Sequence, residues 1–141
     1  MTLFLDTSAL VKLYIAEAET ATVTTAVQAA KIITVSTLAM PEAVSSFTRK
    51  ASEGSLTQSN EQEAFKNLLA DWPDLERIEL DDWIAKEAAM LTRSKGLRGA
   101  DAVHLASCAR LSRERRGVRF LAFDDALNDA AKTVVKLWEA T

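Results

Sequence analysis

Five acidic residues stand where a predicted strand ends or a predicted helix begins. They are Asp6, Glu42, Asp101, Asp124 and Asp125. The strands of a parallel sheet end at one edge, where the following helices also begin, so we expect these carboxylates to converge there. Neighbouring carboxylates repel and raise one another's pKa unless a cation neutralises them. The pattern therefore predicts a site for Mg²⁺, or for Mn²⁺ as a substitute, since both prefer oxygen ligands.

Each acid also has a simpler explanation as a helix cap or a dipole partner. Asp6 follows the apolar run Leu3–Leu5 and precedes Thr7 and Ser8, which are themselves good caps. The residues alone leave open whether Asp6 caps the next helix or binds a metal. Asp101 and Asp125 are open to the same capping interpretation.

No other catalytic or metal-binding motif competes with the acids. The chain has a single His104 and a single Cys108, which excludes a zinc set built from such side chains. Cys108 lies in an Ala-rich helical segment, which predicts a small buried thiol. His104 falls three residues after Asp101, on the same side of one helix, and is a candidate general base. We favour a packing role, because metal-assisted chemistry does not require it.

Strand and helix patterns alternate along the chain. Short apolar runs predict five strands, at 3–5, 32–35, 75–80, 118–123 and 133–138, separated by amphipathic helical segments. Such alternation implies right-handed crossovers and a parallel sheet with helices on both faces. We expect an α/β fold in which residues 1–141 form a single domain.

Composition and charge limit the classes of protein to which this chain can belong. The chain has 141 residues, 48% hydrophobic and 26% charged, with a net charge of −3. These values are typical of a globular protein, and no segment has the length of a membrane span. We find no signal-peptide pattern and expect a cytoplasmic location. Eight basic residues lie between Arg93 and Arg119, and such a run is either a solvated surface or a local phosphate-binding patch.

Four segments resemble the PIN-domain nucleases, and in particular the VapC-type toxins of bacterial and archaeal toxin–antitoxin pairs. The segments are LDTSALVKLY (5–14), STLAMPEA (36–43), ADAVHLA (100–106) and FLAFDDALNDAA (120–131). Each carries one of the acids, and together they span nearly the whole chain in the family's order.

The resemblance implies a three-layer α/β/α sandwich around a parallel five-stranded sheet and an Mg²⁺-dependent endoribonuclease activity. The family's four catalytic, metal-binding acids correspond to Asp6, Glu42, Asp101 and Asp124. Thr7 or Ser8 matches a hydroxyl that often lines the site. The resemblance also implies an RNA substrate, a homodimer and a cognate antitoxin.

Two positions depart from the family pattern. Ala122 stands where the family often has Thr or Ser, two residues before the fourth acid, so Asp125 could replace Asp124 as the fourth ligand. The Gly that commonly precedes the last strand is absent from AAKTVVKLW (130–138). Neither departure removes one of the four acids.

Rival functions remain open on the residues alone. Asp6 as the nucleophile of an aspartyl-phosphate transferase is disfavoured, because such sites often place a second Asp where Ser8 stands. An RNA-processing PIN-like nuclease without an antitoxin is a second rival, and a metal-stabilised binding module without catalysis is a third.

The early helices carry more apolar positions than one core-facing stripe requires. These positions are Leu10, Leu13, Tyr14, Ile15, Val23 and Val27, with Phe47 in a later helix. We expect an exposed groove for an amphipathic partner helix, unless these side chains form the core or a homodimer face.

Overall fold

The computed structural model describes residues 1–141 as a four-stranded parallel sheet flanked by seven helices. The strands are β1 (Thr2–Leu5), β2 (Ile32–Ser36), β3 (Glu76–Ile78) and β4 (Val118–Leu121), in the order β3-β2-β1-β4. All three pairings are parallel, as the strand–helix alternation predicts. The α/β class is confirmed.

Helices cover both faces of the sheet. They are α1 (Thr7–Val11), α2 (Thr20–Ala29), α3 (Ala39–Ser52), α4 (Gln58–Asp71), α5 (Asp82–Lys95), α6 (Gly99–Glu114) and α7 (Asp125–Ala131). Leu3 and Leu5 of β1 point into a core shared with α1 to α4. Phe4, between them, points into the other core, with α5 to α7. This alternation explains why β1 is an unbroken apolar run, since both of its faces are buried.

None of the seven helices is long and apolar enough to cross a lipid bilayer.

The predicted fifth strand at 133–138 is wrong. Only one isolated bridge forms, between Leu137 and Phe120 of β4. The N–H groups of Val134 and Val135 instead donate to the carbonyl of Ala131, at 2.9 and 2.8 Å, and so prolong the end of α7. Because these donors turn back on the helix, the segment has too little extended backbone for a strand.

For most of the residues named for a partner groove, the structure favours the alternative that they form the core. Leu10, Val23 and Phe47 are fully buried, and Ile15 is 7% exposed. The other residues of that set, Leu13, Tyr14 and Val27, pack against the same core. Helix α1 contacts both β1 and α3, so it buries more of its surface than one stripe. Leu10, Ile15, Val23 and Phe47 therefore belong to the core, whereas Leu13, Tyr14 and Val27 are only partly buried.

Because the strands are parallel, their C-terminal ends all lie at the same edge of the sheet. Strand β1 ends at Leu5, one residue before Asp6, and β4 ends at Leu121, three residues before Asp124. Helix α3 begins three residues after β2. The edge formed by these C-terminal strand ends, called here the acidic edge, carries the candidate site.

Candidate active site at the acidic edge

Asp6 is both a helix cap and a buried carboxylate. Its Oδ1 accepts the backbone N–H of Ala9 at 3.0 Å and the hydroxyl of Ser8 at 2.7 Å. The side chain is the N-cap of α1, and the residue is 4% exposed. Burial raises the pKa of Asp6 above its ordinary value, although the Ser8 hydrogen bond lowers it, and the charge of Asp101 raises it further. The capping interpretation is correct, but it engages only one of the two oxygens.

Glu42 lies in the first turn of α3 and is held by two side chains. The Thr7 hydroxyl donates to Glu42 Oε1 at 2.6 Å, and His104 Nε2 lies 2.6 Å from the same oxygen. Burial alone would raise the pKa of Glu42, but the hydrogen bonds from His104 and Thr7 outweigh it, so the pKa is lowered. Glu42 is therefore held ionised at neutral pH.

Asp101 is the third residue of α6 and is not its cap, because Arg98 occupies the N-cap position. No protein hydrogen bond reaches its carboxylate, and the nearest cation is Arg98 Nε, 3.7 Å from Oδ2. Burial raises the pKa of Asp101, and the negative charges of Asp124 and Glu42 raise it further, against the lowering effect of Arg98. Asp101 therefore lies within electrostatic range of Asp6, Glu42 and Asp124.

Asp124 and Asp125 occupy different environments. Asp124 is the N-cap of α7, and its Oδ1 accepts the N–H of Leu127 at 2.7 Å. Asp125 is exposed on the first turn of the helix. Because the charge of Asp124, and not that of Asp125, raises the pKa of Asp101, the arrangement favours Asp124 as the fourth acid.

The donor set fits a hard divalent cation, although the side chains do not already surround one point. No three His, Cys, Asp or Glu side chains are placed to hold a common metal ion. The hydrogen bonds to Asp6, Glu42 and Asp124 all engage one oxygen of the carboxylate, and Asp101 accepts none. Each acid thus keeps at least one oxygen without a protein hydrogen bond. Carboxylate oxygens of this kind are the ligands that Mg²⁺ and Mn²⁺ prefer.

A cleft of about 590 Å³ opens beside Thr7, Ser8 and Glu42. Four cations also line this cleft and are called here the cationic wall, namely Lys12, Arg49, Lys50 and Arg98. Lys12 and Lys50 both pair with Glu17, at 2.9 and 3.1 Å, whereas Arg49 has no acidic partner within 4 Å. Of the four candidate acids, only Glu42 lines this cleft. Cations beside such a carboxylate are suited to a polyanion.

Sequence reasoning missed the contact between His104 and Glu42. The spacing from Asp101 placed His104 on the correct side of α6, but nothing in the sequence indicated that α3 would face it. His104 is 2% exposed, so it is a buried residue, yet its ring also binds a candidate site residue. Thr7 and Ser8, expected to line the site, each donate to a different acid.

Fold and site together define an α/β/α domain with carboxylates at the C-terminal edge of a parallel sheet. The PIN-domain family model matches residues 3–133. The chain is 33% identical over 104 residues to the ribonucleases VapC45 and VapC49, from two strains of Mycobacterium tuberculosis, an overlap of 74% of this chain and 72% of each relative.

A solved structure has the same fold. The crystal structure of M. tuberculosis VapC20, described as a toxin that cleaves the sarcin–ricin loop, superposes with a TM-score of 0.67. It covers 91% of this chain and 94% of VapC20, at 17% identity. The chain belongs to the PIN-domain family, on its VapC-type branch.

Proposed function

We propose that this protein is an Mg²⁺-dependent endoribonuclease toxin of a toxin–antitoxin system. Asp6, Glu42, Asp101 and Asp124 hold the metal, for which Mn²⁺ can substitute, and RNA phosphodiester bonds are hydrolysed there. The ribonuclease names of the 33% identical relatives support the reaction class. The observation that carries the proposal is Asp101, a partly buried carboxylate with no structural hydrogen bond and three acidic neighbours.

Asp6, Glu42, Asp101 and Asp124 would hold Mg²⁺, which would supply positive charge for the phosphoryl oxygens and for the activation of water. The protein's own residues fix the carboxylates before the substrate arrives. Asp6 is immobilised by its capping bond to Ala9 and by the Ser8 hydroxyl. Glu42 is immobilised by Thr7 and His104. Such prior positioning reduces the reorganisation that binding and reaction require.

The cationic wall of the cleft supports a nucleic acid as the substrate. Phosphate contacts position a nucleic acid without reading its bases. Arg49 is free of acidic partners, and Lys12 and Lys50 share one carboxylate, so this wall offers positive charge next to Glu42. We assign it to the phosphates that flank the cleaved bond.

A growth assay tests the toxin proposal directly. Expression of the wild-type chain is expected to arrest growth, whereas Asp6→Asn is expected not to, because Asn retains the cap but removes the charge. Asp82→Asn is the matched control, since Asp82 is exposed on α5 and pairs only with Lys86. Equal arrest by wild type and Asp6→Asn, with both proteins folded, would overturn the proposal.

Partners form a separable part of the proposal. We infer a homodimer and a small cognate antitoxin, on the strength of the resemblance to VapC-type toxins. Co-expression with the adjacent short reading frame is expected to relieve the growth arrest and to yield a copurifying complex. If the growth arrest is not relieved and no complex copurifies, the antitoxin part of the proposal is contradicted. The nuclease part is not affected by that result.

A further inference from the structure

A second cleft lies at the opposite end of the sheet from the acids. It has a volume of about 590 Å³ and is called here the basic cleft. Five cations line it, namely Arg115, Arg116, Arg119, Lys132 and Lys136, and no carboxylate does. The protein has a net charge of −3, so this cluster of positive charge is a local feature that the overall composition does not reveal.

Three of the five cations have no acidic partner. Arg115 is bound by Glu76, with its Nη2 2.7 Å from Oε2, and Lys132 pairs with Asp129 at 3.0 Å. Arg116 and Lys136 have no acidic group within 4 Å, and Arg119 donates only to the backbone carbonyl of Val118. The cleft therefore presents unneutralised positive charge in a concave surface, where the field is focused.

Helix ends do not account for this charge. Cations near a helix C-terminus are favoured by the helix dipole, which covers Arg115 at the end of α6 and Lys132 at the end of α7. Arg119 lies within β4, and Lys136 lies on the segment whose carbonyl accepts the N–H of Phe120 at 2.9 Å. Arg119 therefore lines the cleft from a strand and Lys136 from an irregular segment, and neither lies at a helix C-terminus.

The basic cleft is separate from the acidic edge. It is lined by Gly117 and Val118, at the start of β4, whereas Asp124 follows the end of that strand. Gly117 and Asp124 are seven positions apart, about 20 Å for extended backbone. No single phosphate can contact both regions, so the basic cleft is not part of the catalytic site.

We propose that the basic cleft binds the sugar–phosphate backbone of the RNA, outside the segment held at the acids. This inference rests on the proposed function, because it takes the same RNA as its ligand. The expected contacts are to phosphate charge, which positions a nucleic acid without reading its bases. It extends the footprint of the RNA from the acidic edge to the far end of β4.

The test is RNA binding without cleavage. In an Asp101→Asn background with EDTA, the affinity for a single-stranded RNA of about 25 nucleotides, long enough for the span of a typical binding fold, is measured by fluorescence anisotropy across a salt series. The variant is Arg116→Gln with Lys136→Gln. The matched control is Lys66→Gln with Lys86→Gln, which removes two exposed positive charges from α4 and α5.

The cleft variant is expected to bind roughly 20-fold more weakly near 0.1 M salt, with a salt slope smaller by about 1.4, the value for two lost single-strand phosphate contacts. The control is expected to retain the parent slope. Single-stranded DNA of the same sequence is expected to show the same loss, because it carries the same phosphates. Thermal midpoints check that every variant is folded.

Equal affinities and slopes for the cleft variant and the control would overturn the inference, as would a parent that binds no RNA. A different result would overturn the proposed function, namely that the wild-type protein does not cleave RNA in Mg²⁺. A protein that does not cleave but still shows the slope change would retain the basic cleft as an RNA site. If the protein cleaves RNA but the cleft variant shows no change in salt slope, the basic cleft is not an RNA site.

Discussion

His104 lies in contact with Glu42, and we expect it to orient that carboxylate rather than to act as the general base. A carboxylate with a lowered pKa cannot donate a proton, so His104 Nε2 carries the hydrogen in its 2.6 Å contact with Glu42. The other ring nitrogen, Nδ1, is buried and has no hydrogen-bond partner. Since one nitrogen is engaged with Glu42 and the other has no access to the cleft, the ring has no position from which to accept a proton from substrate or water.

Replacing His104 should weaken metal binding rather than remove a catalytic proton transfer. His104→Ala is expected to lower the affinity for Mn²⁺ by about tenfold, the lower end of the range for residues that orient metal ligands. Gln, which retains an N–H donor, should recover part of the loss. Titration calorimetry with Mn²⁺ and no RNA measures this effect independently of turnover.

Ser107→Ala is the matched control for His104. Ser107 is buried on the same helix, and its hydroxyl donates to the carbonyl of Val103 at 2.7 Å, away from the acids. It is expected to leave Mn²⁺ affinity unchanged. Wild-type affinity in a folded His104→Ala protein would show that the imidazole only packs.

At the scale of elements, the strand ends and the positions of the acids could be predicted from the sequence. The contacts between helices could not. An apolar run that stops at Asp6 predicts both β1 and the position of its carboxylate, because burial on two faces requires such a run. The Glu42–His104 contact depends on how α3 and α6 are rotated about their axes, which no local pattern encodes. The missing fifth strand has a related cause, since the β-branched residues at 133–135 are drawn into the end of α7 by backbone bonds to Ala131.

The burial of Phe47 makes its role on α3 testable. Phe47→Ala is expected to lower the free energy of unfolding by about 3–5 kcal/mol, because it opens a cavity among α1, α3 and α4. Phe65→Ala on α4 is the matched control, and since Phe65 is 38% exposed it should cost under about 1 kcal/mol. Urea denaturation measures both. A Phe47→Ala protein of wild-type stability would restore the exposed-groove hypothesis.

At the scale of the whole molecule, the two ends of the sheet carry opposite charge. The acidic edge holds carboxylates whose mutual repulsion costs folding free energy, and burial raises the pKa of both Asp6 and Asp101. Three of the five cations that line the basic cleft, Arg116, Arg119 and Lys136, also lack an acidic partner. Both features agree with the proposed function, in which a metal ion and an RNA backbone supply the opposite charges.

The repulsion predicts that Asp101→Asn stabilises the metal-free protein. A raised pKa means that the folded state binds the proton more tightly than the unfolded state. The stability contributed by protonated Asp101 is therefore present below its ordinary pKa of about 3.9 and is lost as the pH rises through the folded-state value. At neutral pH in EDTA, Asp101→Asn is expected to melt about 3 °C higher, equivalent to about 1 kcal/mol.

Two conditions control that measurement. The difference between Asp101→Asn and wild type should disappear below pH 3.9 or so, where both side chains are uncharged. In saturating Mg²⁺ the order should reverse, because only the wild type gains metal binding. A metal-free Asp101→Asn protein that melts below the wild type at neutral pH would contradict the account of repulsion.

RNA cleavage as a function of divalent cation tests the central claim most directly. Wild-type cleavage of an end-labelled RNA should rise to saturation with Mg²⁺, stop in excess EDTA and return on addition of Mn²⁺. Asp101→Asn should lower the rate roughly a hundredfold or more, whereas Asp125→Asn, which alters an exposed neighbour of Asp124, should leave it within about twofold. Undiminished cleavage in excess EDTA, or full activity in Asp101→Asn, would contradict a metal site built from these four carboxylates.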